Sequence, residues 1–258
     1  MALHRRFFLY AKEVFPLPGR QKISVISGLH YAQLVFRSAL LLAALAVYLS
    51  VRDADSMFET YKPFYFFLWA AYAVGMLLRF FPSPVESMGC QKQFARNFKP
   101  ASPGAKIIAK PRRHGVLYVA LAWIALNGLI GAAHLLGWID KGVMLLVSLF
   151  YGVCDMICIL FFCPFQTWFM RNKCCTTCRI YNWDYAMMFT PLVFTGGWWG
   201  WSLVIMALML LIRWEVTAHR HPERFSEACN GSLACKNCQE KLCSHKKQLR
   251  AFLRDIRR

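Results

Sequence analysis

Acidic side chains are scarce in this chain, and charge of either sign is thin. Asp and Glu number 13 against 31 Lys and Arg in 258 residues, and charged residues together make up 17%. A soluble domain carries about 25%, so a surface that faces water on every side is excluded. Phosphate-binding glycine loops, G-x-S-x-G, H-E-x-x-H and kinase signatures are also missing. Gly196-Gly197-Trp198-Trp199-Gly200 lacks the G-x-G-x-x-G spacing and strand context of a dinucleotide site. No internal repeat or low-complexity segment occurs. Residues 1–33 are mixed and charged, without the short apolar core and small-residue cleavage site of a secretory signal. Within them, His4 to Tyr10 reads as an interfacial anchor of basic and aromatic residues.

What is abundant is apolar. Hydrophobic residues reach 57% and aromatics 16%, with a net charge of +18. In a soluble protein that charge would suggest nucleic acid. Here it is concentrated in loops and tail, where it holds spans against anionic headgroups. The expected partner is therefore the lipid bilayer, with no nucleic acid. The expected fold class is all-α: a polytopic transmembrane bundle over residues 1–214, followed by a basic, cysteine-rich tail over 215–258.

Five hydrophobic segments are expected, at about 31–51, 63–81, 115–139, 143–162 and 185–213. In the first, the uncharged part (38–51) falls short of the ~20 residues a crossing needs. Arg37 is therefore expected to snorkel to its interface, or the helix to lie shallow. Asp140-Lys141-Gly142 reads as a very short turn joining the third and fourth segments into an antiparallel hairpin, across which Asn127 would hydrogen-bond. His134 would cap the interface. The last segment contains Pro191 and breaks at Gly196-Gly197, ahead of Trp198, Trp199 and Trp201. A tight or re-entrant hairpin turning there, giving six segments, is favoured over one long tilted helix.

Orientation follows from the short loops. Seven Lys and Arg lie between Pro82 and His114, and the tail from Arg220 onward holds ten more. The N-terminus, that loop, the Cys174–Cys178 segment and the tail are all expected in the cytoplasm.

Seven of the eleven cysteines form two groups. Cys174, Cys175 and Cys178 lie in Lys173-Cys-Cys-Thr-Thr-Cys-Arg179, while Cys229, Cys235, Cys238 and Cys243 lie in the tail. Thiolates select Zn²⁺, Cu(I) or iron–sulfur. Tetrahedral zinc could take Cys235, Cys238, Cys243 and either Cys229 or His245. A [4Fe–4S] cluster would use the four tail cysteines. Neighbouring Lys and Arg favour thiolates. Cys163, ahead of Pro164, could join Cys174 or Cys175, Cys178 and a distant Cys90 in a second centre. Alternatively, Cys175/Cys178 and Cys235/Cys238 could share one ion. An odd cysteine count and a reducing cytosol argue against a structural disulfide framework.

Within the fourth segment, Cys154 and Cys158 share a helical face and read as packing residues. Asp155 is different. A carboxylate inside a span costs about 2.5–3.5 kcal/mol on the insertion scale, and is by default a functional candidate. It could be neutral, relay a proton or pair with a cation from another helix.

The run Lys173-Cys-Cys-Thr-Thr-Cys-Arg-Ile-Tyr-Asn-Trp-Asp184, followed by Arg220-His-Pro-Glu-Arg-Phe225 and the tail cysteines, resembles prokaryotic cysteine-rich membrane proteins. The resemblance covers roughly the second half, implies a prokaryotic inner membrane and carries no activity. From the residues themselves, the leading expectation is membrane-associated electron transfer through one or two cytoplasmic thiolate centres, most readily iron–sulfur. The basic, aromatic surroundings would suit an acidic carrier such as ferredoxin or flavodoxin, or a redox partner subunit. The alternatives are a non-catalytic scaffold or transporter-like bundle held by zinc, and thiol–disulfide exchange with a membrane quinone.

Overall fold

The computed structural model describes residues 25–51, 60–82, 91–101, 113–170, 178–234 and 237. All regular elements among them are helical: α1 (Val25–Val51), α2 (Lys62–Leu78), α3 (Arg113–Leu135), α4 (Lys141–Leu160), α5 (Asp184–Phe189) and α6 (Trp198–Arg220). Among the described residues, four helices are long and apolar enough to cross a membrane: Gly28–Val51, His114–Leu135, Lys141–Leu160 and Trp198–Arg220. The fifth apolar helix, α2, is shorter at 17 residues. The expected fold class thus holds at the level of an all-helical protein with four helices long and apolar enough to cross a membrane.

The last apolar stretch is folded back on itself. A short 3₁₀ turn (Tyr181–Trp183), α5 and a second 3₁₀ turn (Thr190–Val193) lead to Gly196 and Gly197, from which α6 returns. Both glycines have positive φ, 69° and 81°, a conformation that side chains with a Cβ resist. Pro191 helps break the outward limb, which covers only roughly 23 Å at 1.5–2.0 Å per residue. Irregular backbone of this kind is tolerated at membrane depth where protein surrounds it, and α3, α4 and α6 do so.

One core joins α1, α2, α4, α5 and α6. Ala44, Met76, Leu149, Phe189 and Ala207 are at its centre, all essentially inaccessible. The opposite faces of the long helices expose Leu42, Val74, Leu121, Ile124 and Ile205, a surface suited to lipid acyl chains.

The third and fourth segments depart from expectation. Helix α3 ends at Leu135, and the turn runs through Gly137, whose φ is 77°. Asp140 is the N-cap of α4, accepting from Val143 N at 2.8 Å, so Lys141 and Gly142 lie inside the helix. His134 donates through Nδ1 to Ile139 O at 2.8 Å within this turn. The two helices do not close into a tight antiparallel pair. Helix α3 packs on a π-helical turn (Phe165–Met170) and on 190–193, while α4 packs mainly on α1. Asn127 consequently donates to Trp123 O in its own helix rather than across a hairpin. Gly131 is where α3 approaches the broken limb, since a Cβ there would sit 2.5 Å from the Phe194 ring. Gly131→Ala is expected to destabilise by about 1–3 kcal/mol through overpacking, read as a lower thermal midpoint in detergent.

Candidate functional site: a thiol-lined cavity beside two buried ion pairs

The interior is built on charge. Arg37, on the core face of α1, has a side chain 8% exposed and donates to Asp155 Oδ2 and to Gly152 O, both at 2.9 Å. This corrects the snorkelling expectation. Helix α1 begins well before Arg37, so the guanidinium turns inward to a carboxylate on α4 instead of reaching back to its own interface. A second pair joins Arg79, just past α2, to Asp184 at the start of α5, 2.7 Å apart. The Tyr185 ring lies between them, with the Arg79 guanidinium 4.8 Å and that of Arg37 5.9 Å from its centroid. Buried charges persist in apolar surroundings only when paired. Here two cations meet two anions around one aromatic ring.

A cavity of about 130 Å³ lies alongside, in the space where α3 and α4 fail to close. Both Asp155 and Asp184 line it, as do Cys154, Cys158, Cys163 and Cys178. Cys158, in the last turns of α4, and Cys163, in the turn that follows, face the same cavity. The local fold explains this placement. Helix α4 ends at Leu160, the chain turns at Cys163-Pro164, and a π-helical turn follows. Cys163 Sγ accepts from Gln166 N at 3.4 Å, which sets that thiol at the start of the turn and back towards the last turn of α4. Isolated π turns are frequent at functional sites. Trp123 closes the far side, its ring tilted 57° to that of Tyr151 with centroids 4.7 Å apart, and it donates to Thr190 Oγ1 at 3.1 Å. Cys154 and Cys158 are therefore cavity-lining residues and not packing residues alone.

The segment after Cys178 is fixed residue by residue. Arg179 pairs with Glu215 on α6, and Trp183 Nε1 donates to the same carboxylate at 2.8 Å. Asn182 donates to Gln93 Oε1 at 2.6 Å, Tyr181 lines the cavity, and Asp184 takes Arg79.

Of the metal candidates, Cys163 and Cys178 come to the same cavity. Cys229 is buried elsewhere, against residues 97–101, where its carbonyl accepts from Ala101 N at 2.9 Å. Cys90, Cys174, Cys175, Cys235, Cys238, Cys243 and His245 lie outside the described residues. Among the described residues, no three His, Cys, Asp or Glu side chains converge as a metal-binding group. Sequence reasoning missed Asp184 and the inward role of Arg37. The signal was an Arg inside one apolar helix together with an Asp inside another.

No protein-family model, curated protein or solved structure matches this chain. What fold and site define by themselves is an all-helical protein with helices long and apolar enough to cross a membrane, an ion-paired interior and a thiol-lined cavity.

Proposed function

We propose that the chain is a multi-pass membrane redox protein in which electrons enter and leave through thiols, with Cys158 and Cys163 as the pair that opens and closes. The observation that supports this most directly is that Cys158 and Cys163, at the end of α4 and in the turn after it, line one cavity that also holds two carboxylates. A dithiol–disulfide couple needs two sulfurs that can bond without backbone rearrangement and a group that takes up the released protons. Cysteines that served packing alone would not call for the cavity or for the acids beside it. In this reading the hairpin at Gly196-Gly197 brings the number of passes to six. The tail and the basic Pro82–His114 loop then share the cytoplasmic face, where an acidic carrier would dock.

Reduced full-length protein treated anaerobically with diamide should yield a cross-linked Cys158–Cys163 peptide on mass mapping, reversed by dithiothreitol. Cys158→Ser and Cys163→Ser should each abolish it. If both thiols remain fully alkylatable after diamide, the reading fails.

A second reading rests on the tail. Asn230 is fully buried and, with Cys229, pins the start of the tail to the 91–101 segment. A tail folded there supports a compact set of Cys229, Cys235, Cys238 and Cys243 around zinc or a [4Fe–4S] cluster. Anaerobically purified protein should then retain metal that Cys238→Ser removes. Iron with inorganic sulfide would mark a cluster, and zinc alone a structural site. Protein that holds neither removes this reading.

A further inference from the structure

We infer that a second cavity, bounded by α2, α4, α6 and the turn at Gly196-Gly197, holds one anionic glycerophospholipid, with its phosphate beside Lys62 and Lys141. The cavity measures about 750 Å³, within the roughly 300–1,000 Å³ of small-molecule sites. It shares no lining residue with the thiol cavity, so the inference stands apart from the redox reading. Its lining changes character with depth. Lys62 and Lys141 are the first residues of α2 and α4, and both are exposed. Further in, the wall is made by Leu68, Leu145, Leu192 and Leu203, all buried from solvent. Trp69, also in the lining, is seven residues beyond Lys62, about 10 Å along the helix. Each interfacial layer of a bilayer is about 5–7 Å thick. The lysine end therefore sits at headgroup depth and the leucine end at acyl-chain depth. Phe66, Trp69, Trp198 and Trp199 cluster at this level with centroids 5.5–6.5 Å apart, as amphipathic rings do at a membrane–water boundary.

Charge selects the head and the leucines select the tail. No Asp or Glu lines the cavity among the described residues. Asp140, beside Lys141, is already held by Val143 N and the Tyr48 hydroxyl, each at 2.8 Å. Two ammonium groups above an apolar wall thus match a molecule with negative charge at one end and hydrocarbon at the other. The mouth is open to such a molecule. Phe66 and Trp199 in the lining are 55% and 48% exposed. Gly196 and Gly197 carry no side chain there, and a Cβ built on either would meet nothing within 4 Å.

The test is native mass spectrometry of the full-length protein in detergent, titrated with dioleoyl phosphatidylglycerol, dioleoyl phosphatidylcholine or glycerol 3-phosphate. One phosphatidylglycerol adduct is expected to form ahead of all others. A basic side chain near the membrane surface attracts anionic lipid by about 1 kcal/mol, or roughly fivefold. Lys62→Gln and Lys141→Gln should therefore each weaken the phosphatidylglycerol adduct about fivefold. The double variant should weaken it about 30-fold, to the level of phosphatidylcholine. Arg96→Gln, an exposed basic residue on the 91–101 segment, should match the parent. Glycerol 3-phosphate, which has the charge but no chain, should not compete at concentrations that saturate the lipid. The comparison of the two lipids on the parent protein decides without any variant: equal affinities would mean that the lysines select nothing, and the inference falls. It falls as well if Arg96→Gln weakens the adduct as much as the lysine variants do, which marks general attraction to a basic protein. Competition by glycerol 3-phosphate at lipid concentrations would show a site for free phosphate and overturn the lipid assignment.

Discussion

Asp155→Leu is expected to cost about 3–5 kcal/mol of stability, Arg37→Leu somewhat less, and the double substitution Arg37→Leu/Asp155→Leu less than either. The ordering follows from what each change leaves behind. The pair is buried, with Arg37 donating to Asp155 and to Gly152 O. Polar contacts between helices in a membrane are worth only about 0.6 kcal/mol each on average, so the lost hydrogen bonds do not decide the outcome. The stranded charge does, because removing one member of a buried pair leaves the other uncompensated. A carboxyl left alone can be neutralised by a proton, whereas a guanidinium cannot. Hence Asp155→Leu, which strands Arg37, is the worse of the two. Replacing both with apolar groups of similar volume is often neutral or stabilising. Thermal midpoints of the three variants in one detergent would check this. A double variant as unstable as the sum of the singles would show that the two side chains act independently.

The comparison of expectation with structure turns on how far apart in the chain the deciding partners are. Helices α1 to α4 and the turn at Gly196-Gly197 were legible because apolar runs, Gly-Gly and Pro191 are local signals. The inward Arg37 was not, since its partner is 118 residues away and only length could be judged within its own segment. The separation of α3 from α4 was hidden for a related reason. A short connection predicts neighbours, but the broken limb of residues 184–193 takes the place between them. Cys154 and Cys158 looked like packing residues because their helix spacing says nothing about Cys163 and Cys178, which complete the wall from a π turn and from the segment before α5. Asp184 sat at the edge of an uncharged run and so read as its boundary, although its carboxylate closes the second ion pair. The tail set can be read from spacing alone, and only Cys229 of its four cysteines lies among the described residues.

Asn230→Leu should release the start of the tail and expose Cys229. Asn230 is 0% exposed, and its side-chain amide donates to Lys92 O and Arg224 O, both at 2.9 Å, while Oδ1 accepts from Ser232 N at 3.0 Å. The backbone around it is tied to the same loop, with Gly231 N donating to Lys99 O at 2.6 Å and a bridge between Pro100 and Asn230. Leucine fills a similar volume but makes none of the side-chain bonds, so two carbonyls and one N–H lose a buried partner. Each such loss costs about 1–3 kcal/mol, and even the low end of the combined cost, roughly 3 kcal/mol, shifts a local opening equilibrium by more than 100-fold. Because Cys229 is 6% exposed and adjacent, the readout is its alkylation rate in intact protein, which should rise by about two orders of magnitude while Cys154 labels as before. Helix content should not change, since α6 ends ahead of this region at Arg220. An unchanged Cys229 rate would mean that the backbone ties to Lys99 and Pro100 hold the tail alone. In that case the tail is docked through its chain path, and the Asn230 side chain is incidental to bringing its thiols to this face.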